Sequence, residues 1–286
     1  KNDESWRVRE TACKKIVSKK VLKEISISDE NEYVAKIGET SYATIDEAIA
    51  AWTNGTTLTL LADVTLTKTI ELSSTEMHTL DLGKYTMTAA TNKSAISIIP
   101  NGRSNASYAL DIKADANEPG GISAKGASCI YSKGKSGVKD RPIVRIYGGN
   151  FTGNYAINHS GSNGTNCPQF QIYGGTFDQI STNRALLQIY GGTFNKKNWI
   201  SPDSSAYTRI EGGRFFDVGN NMSSALNADK WTYGTSKGNF NVNVYVDENG
   251  YYVVTADDID FSSMEASTSV DNAGSSAKTL VYSKAN

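Results

Sequence analysis

The chain has 286 residues, with 29 basic and 30 acidic side chains and a formal net charge of −1. That balance excludes a nucleic-acid binder that works through its overall field, and three cysteines are too few for a disulfide scaffold. No apolar run approaches the roughly 18 residues of a membrane span. Ser and Thr fill 57 positions, Gly 25 and Pro only 5, with 38% apolar residues, which predicts a soluble, β-rich chain full of turns rather than disorder.

Residues 1–32 form a basic stretch, expected to be an arm or linker strand: positions 1–24 hold eight Lys/Arg and four Asp/Glu. The start at Lys1-Asn2-Asp3-Glu4 shows no signal peptide, as in a processed or trimmed chain. Ile25-Ser-Ile-Ser28 alternates as a strand does, so the arm is a candidate for strand addition to a neighbouring molecule. From 33 to 66 the pattern changes to strand, helix, strand. Tyr33–Ile37 reads as a strand, and Thr44-Ile-Asp-Glu47 is a capping box. Ile45, Ala48, Ile49 and Trp52 follow helical spacing, Asn54-Gly55 ends the helix, and Thr57–Leu61 starts the next strand.

The centre is repetitive. Ile146-Tyr-Gly-Gly-Asn-Phe151, Ile172-Tyr-Gly-Gly-Thr-Phe177, Ile189-Tyr-Gly-Gly-Thr-Phe194 and Ile210-Glu-Gly-Gly-Arg-Phe215 are four copies of one hexapeptide, spaced by 26, 17 and 21 residues. Leu80-Asp-Leu-Gly-Lys-Tyr85 is a weaker copy upstream, and Leu110-Asp-Ile112 another. Each strong copy follows alternating residues, the signature of a strand with one buried face. The Gly-Gly pair marks a bend that a side chain would obstruct, and Phe returns to the interior. Irregular spacing suits stacked coils with variable loops better than helical repeats.

The predicted fold is therefore all-β: a right-handed parallel β-helix over residues 33–255, with a short N-terminal capping helix and a C-terminal β-hairpin. Ile146, Ile172, Ile189 and Ile210 should form one internal ladder and Phe151, Phe177, Phe194 and Phe215 another, about 4.8 Å apart. About 200 residues at about 21 per coil predict nine or ten turns. Val242–Val246 and Tyr251–Val254, joined through Glu248-Asn-Gly250, read as the hairpin. Residues 256–286 read as an acidic, Ser-rich tail: positions 246–286 hold seven Asp/Glu and two Lys. Opposite charge at the two ends favours head-to-tail self-association into open filaments.

Tyr42–Trp52, Leu58–Leu66 and the Ile-x-Gly-Gly-x-Phe copies resemble right-handed β-helix proteins of Gram-positive bacterial surfaces, as does the hairpin ending at Gly250–Val254. The resemblance implies a non-catalytic extracellular, secreted or cell-surface protein, adhesive or structural, with a host or microbial glycan or surface protein as partner. The chain departs from that family in showing no sorting signal, dockerin or wall-binding repeat.

Alternation puts Tyr147, Tyr173 and Tyr190 outside, flanked by Arg145, Gln171, Gln188 and Arg209, with Asn150, Thr176, Thr193 and Arg214 on the far side. Aromatic rings beside amides and guanidinium groups suit sugar binding, while the same tyrosines stacked between coils stabilise the fold with no ligand at all. Some β-helices are polysaccharide lyases or glycoside hydrolases, and a hydrolase needs two carboxylates across a groove. Asp81 and Asp111 are expected in one exterior column, with Asp140 and Asp178 in or beside loops. The remaining residues show no Asp, His and Arg cluster, so the expectation is no catalytic residue, metal or cofactor. His78 and His159 are expected to be solvated loop residues. Cys13, Cys129 and Cys167 lie too far apart in sequence for a metal-ligand motif.

Overall fold

The computed structural model describes residues 33–102, 106–135, 137–138, 140–161, 168–183, 185–196, 208–216, 243–255, 264–267 and 281–284. The N-terminal arm 1–32 and residues Val242, Cys13 and Cys167 lie outside them. The described chain is all-β with one helix, arranged as a nine-stranded sheet and a fourteen-stranded sheet built mainly from parallel pairs.

At the N-terminal end, Ala35–Ile37 pairs antiparallel with both Thr40–Tyr42 and Thr57–Leu60. The helix α1 (Ile45–Ala51) starts where expected. Thr44 Oγ1 accepts from the Glu47 amide, and the Glu47 carboxylate accepts from the Thr44 amide at 3.2 Å. This reciprocal pair satisfies two of the amide groups that every helix start leaves open. Ile45 and Ala48 are buried, and Trp52, the residue that ends the helix, is buried with its indole N–H donating to the Thr56 carbonyl. Helix and strands therefore cover this end of the apolar interior.

Beyond this end the strands pair in register from one repeat copy to the next. The internal row of the first sheet runs Leu58, Leu80, Ile112, Ile146, Ile172, Ile189, Ile210. In the second sheet, a row runs Val64, Met87, Ile122, Phe151, Phe177, Phe194, Phe215. Both predicted ladders are present, and both extend upstream of the hexapeptides. The four Phe rings stack with centroids 5.0, 5.2 and 4.8 Å apart and all are buried. A third row, Ile70, Ile96, Ile130, Ile157, Ile180, was not expected from the sequence.

Among the described residues the first row has seven members, and its early spacings exceed the expected 21 or so: 32 positions separate Leu80 from Ile112 and 34 separate Ile112 from Ile146. Tyr85 is displaced from the Phe row by Met87, since two more residues intervene after Leu80 than in the hexapeptide.

The two glycines of each corner do different work. Gly149, Gly175, Gly192 and Gly213 have φ of 109°, 106°, 99° and 124°, a region that side chains disfavour. For the first glycine the obstacle is steric: a Cβ on Gly174, Gly191 or Gly212 would lie 2.7, 2.4 or 2.3 Å from the carbonyl oxygen of the Tyr one copy earlier.

At the other end Asn243–Val246 and Tyr252–Thr255 form the expected antiparallel hairpin, and Tyr252–Thr255 pairs antiparallel with Gly213–Phe215. Two described strands lie in the acidic stretch after 255. Its strand Val281–Lys284 pairs parallel with Asn243–Val246, and Met264–Ser267 pairs with Val281–Lys284, so both extend the second sheet.

Candidate functional site

The outer face of the first sheet carries the residues singled out above, in two parallel rows. One row runs Thr57, Thr79, Asp111, Arg145, Gln171, Gln188, Arg209. Two positions further along each strand, Tyr147, Tyr173 and Tyr190 follow one another, each amide donating to the carbonyl of the internal-row residue one copy earlier. The structure thus brings all seven sequence-predicted residues onto one face.

Their side chains are turned mostly toward one another. Tyr147 and Tyr173 stack at 5.1 Å with planes 10° apart, and Tyr173 and Tyr190 at 4.9 Å and 12°. Each contact uses a ring face, so the stack offers solvent its edges and hydroxyl groups. Tyr147 and Tyr173 remain 41% and 42% exposed, whereas Tyr190 is half-buried. The amides form their own chain. Gln171 donates from Nε2 to Gln188 Oε1 at 3.0 Å, Gln188 donates to the Tyr190 hydroxyl at 3.2 Å, and the Tyr173 hydroxyl donates to Gln171 Oε1 at 3.4 Å.

The charged members are also paired. Arg145 makes a two-pronged contact with Asp111, Nε and Nη2 each 2.6 Å from a carboxylate oxygen, and lies 4.2 Å over the ring of Tyr108. Bidentate geometry holds a planar guanidinium strongly, and here it raises the Arg145 pKa further through the Asp111 hydrogen bond. Tyr108 is 49% exposed, pairs with Ile143 two positions before Arg145, and was missed from the sequence: it precedes Leu110-Asp-Ile112 where no Gly-Gly pair marks the copy. Arg209 pairs with Glu211. Burial, and then the Asp111 charge, raises the Tyr147 pKa; burial, and then Glu211, raises that of Tyr190. Both phenols are therefore held protonated and able to donate.

The second sheet's outer row, Asn150, Thr176, Thr193, Arg214, is likewise in register. Arg214 does not face outward freely: it pairs with Asp247 and its guanidinium lies 3.8 Å over the Tyr251 ring, fastening the hairpin to the last copy.

The carboxylates weighed for catalysis do not converge. Asp81 and Asp111 occupy different rows, correcting the expected single column: Asp81 faces Thr59 and Lys113, and Asp111 faces Thr79 and Arg145. Asp81 follows its internal-row residue Leu80 while Asp111 precedes Ile112, which places them two positions apart. Asp178 accepts from the Gly153 amide at 3.2 Å and lies 3.6 Å from Lys196. Asp140 is fully buried, accepting from Ser74 Oγ and from the Asn101 amide.

Both histidines depart from the expectation of solvated loops. His78 is buried, edge-on to Trp52 at 5.1 Å, and His159 is buried within Asn150–Ser160. Each sits at an inward position of a strand, where strand parity overrides a polar neighbourhood in sequence. Cys129 is a buried free thiol, pushed up to about 12 by burial. Among the described residues no group of three or more His, Cys, Asp or Glu is placed to hold a metal ion. Among the described residues, no helix is long and apolar enough to cross a membrane.

No protein-family model matches this chain, and no curated protein or solved structure is significantly similar to it.

Proposed function

We propose that the chain is a right-handed parallel β-helix that serves outside the cell as a non-catalytic adhesive or structural protein, with the Tyr147–Tyr173–Tyr190 face as its contact surface for a glycan. The observation that carries this reading is the in-register row itself: identical side chains one copy apart, half-exposed, with phenol hydroxyls and Gln amides in line. Such a row presents the same group at every step, which suits a polymer with a repeating hydrogen-bonding pattern. Because the ring faces are covered by one another, the contact is through hydroxyls and ring edges rather than by sugar-on-ring stacking. Arg145 and Arg209 already have carboxylate partners, which favours a neutral over an anionic glycan. The extracellular setting rests on the resemblance of the repeat and its ends to bacterial surface proteins.

Binding to a panel of neutral and acidic polysaccharides tests the reading. Neutral glycans are expected to bind, and Y147A/Y173A/Y190A to abolish binding with the circular dichroism spectrum retained. Binding that survives the triple substitution, or no binding to any glycan, overturns the assignment of this face.

A further inference from the structure

One internal row breaks the apolar rule of the core. Beside the all-aliphatic row Ile70, Ile96, Ile130, Ile157, Ile180, the neighbouring row runs Leu72, Ile98, Ser132, His159, Thr182. It begins aliphatic and becomes polar where strands Gly121–Lys133, Asn150–Ser160 and Ile180–Asn183 pair. Ser132, His159 and Thr182 are 0%, 1% and 0% exposed. His159 Nδ1 lies 3.0 Å from the Ser132 carbonyl oxygen, so Nδ1 carries the proton and donates, leaving Nε2 with its lone pair. Nε2 and the Ser132 hydroxyl are both buried without a hydrogen-bond partner.

A neutral ring is tolerated there; an imidazolium is not. Protonation adds an N–H at Nε2 and a full charge in a site remote from water. Neither the paired strands nor its own supplies a compensating carboxylate. In Gly121–Lys133 the titratable groups are the Cys129 thiol, which stays protonated, the outward Lys125 and Lys133, and half-buried Tyr131. Ile180–Asn183 and Thr176–Phe177 contribute none, and Asn150–Ser160 itself adds only half-buried Tyr155. Asp178, just past Thr176–Phe177, acts on Cys129 and bonds the Gly153 amide.

We propose that His159 is an acid-sensitive release point in the core: protonating its ring loosens strand Asn150–Ser160 from Gly121–Lys133 and opens the middle of the structure. The device goes beyond glycan binding and does not depend on it. Burial supports it by holding the His159 pKa down to about 4, against 6.5 for an unperturbed imidazole. The unfolded chain binds this proton first as pH falls through the ordinary imidazole range. Stability is therefore unaffected above that range and is lost progressively down to the folded pKa.

Urea unfolding of wild type, H159N and H159L at pH 7 and about pH 4.5 tests this. Asn keeps a donor for the Ser132 carbonyl, and Leu restores the aliphatic row. His78 is present in all three proteins and cancels from the comparison. The wild-type folding equilibrium is expected to fall by on the order of 50- to 100-fold more than that of either variant. On wild type alone, hydrogen exchange corrected for its intrinsic pH dependence is expected to rise first in residues 121–133 and 150–160. Equal acid losses in all three proteins, or unchanged protection of these strands at about pH 4.5, overturn the proposal.

Discussion

The early copies, from Leu58 to Lys133, and the late ones, from Arg141 to Phe215, share one register but not one filling. In the second sheet's internal row the early positions are Val64, Met87 and Ile122, and the late ones are all Phe. On the exterior the contrast repeats: Asp81 and Lys113 face each other early, where stacked tyrosines stand late. Parallel in-register pairing thus accepts aliphatic or aromatic rows equally well as backbone, and the difference lies in what each row adds side by side.

The largest test of that difference is in the core. Phe177→Ala removes a ring stacked on both sides, by Phe151 and Phe194, and is expected to cost about 3–5 kcal/mol. Ile122→Ala, at the same row position one copy before Phe151, is expected at about 2–4 kcal/mol. Aromatic pairs contribute roughly 0.5–1.5 kcal/mol beyond their buried area, so the Phe site should lose more in urea unfolding. Equal losses would reduce the Phe ladder to volume filling.

The corners give the next test, and they separate copies that share a sequence. Gly191→Ala would place a Cβ 2.4 Å from the Tyr173 carbonyl oxygen, whereas at Gly148 the nearest atom is the Ala114 Cβ at 3.8 Å. Since backbone cannot yield as a side-chain tip does, G191A is expected to destabilise by about 1–3 kcal/mol. G148A is expected to stay within about 0.5 kcal/mol. The copy before Gly148 reaches its corner through an inserted loop, so no Tyr carbonyl lies beneath it. Thermal unfolding of both variants reads the contrast, and a G148A loss as large as that of G191A would break it.

That inserted loop also explains why the late copies could be read from sequence and the early ones only partly. Gly120-Gly121-Ile122 is a true corner: Gly121 pairs with Asn150 and Ile122 with Phe151. A Cβ on Gly120 would meet the Tyr85 carbonyl oxygen at 2.2 Å. Residues 113–119 separate it from Ile112, so the hexapeptide pattern does not reveal it. The Ile and Phe ladders were readable because short motifs keep strand and corner contiguous. The row through Ile70 and Ile96 was not, because its members fall at no fixed distance from a glycine. On the exterior, parity correctly placed all seven site residues on one face, but it carries no information about which neighbours pair. The Arg145–Asp111 contact and the Tyr-on-Tyr stacking depend on side-chain reach across copies, which requires knowing that Asp111 lies directly beside Arg145.

The smallest effect sharpens the comparison on that outer face. Tyr147 and Tyr190 close the two ends of the stack. Their pKa values are raised above 10.0 by burial first, then by Asp111 at one end and Glu211 at the other. A phenol with a raised folded-state pKa resists losing its proton in the folded protein. The unfolded chain ionises first, so stability is intact below about pH 10 and falls as pH rises through the folded values. Because both hydroxyls lie near solvent, screening keeps the loss small, on the order of tenths of a kcal/mol. Absorbance titration should show phenolate forming late in the wild type, and Y147F/Y190F should flatten the alkaline decline in stability. An unchanged decline would mean that the late tyrosines behave like isolated surface phenols, and that the stack organises the face without coupling it to the charges at its ends.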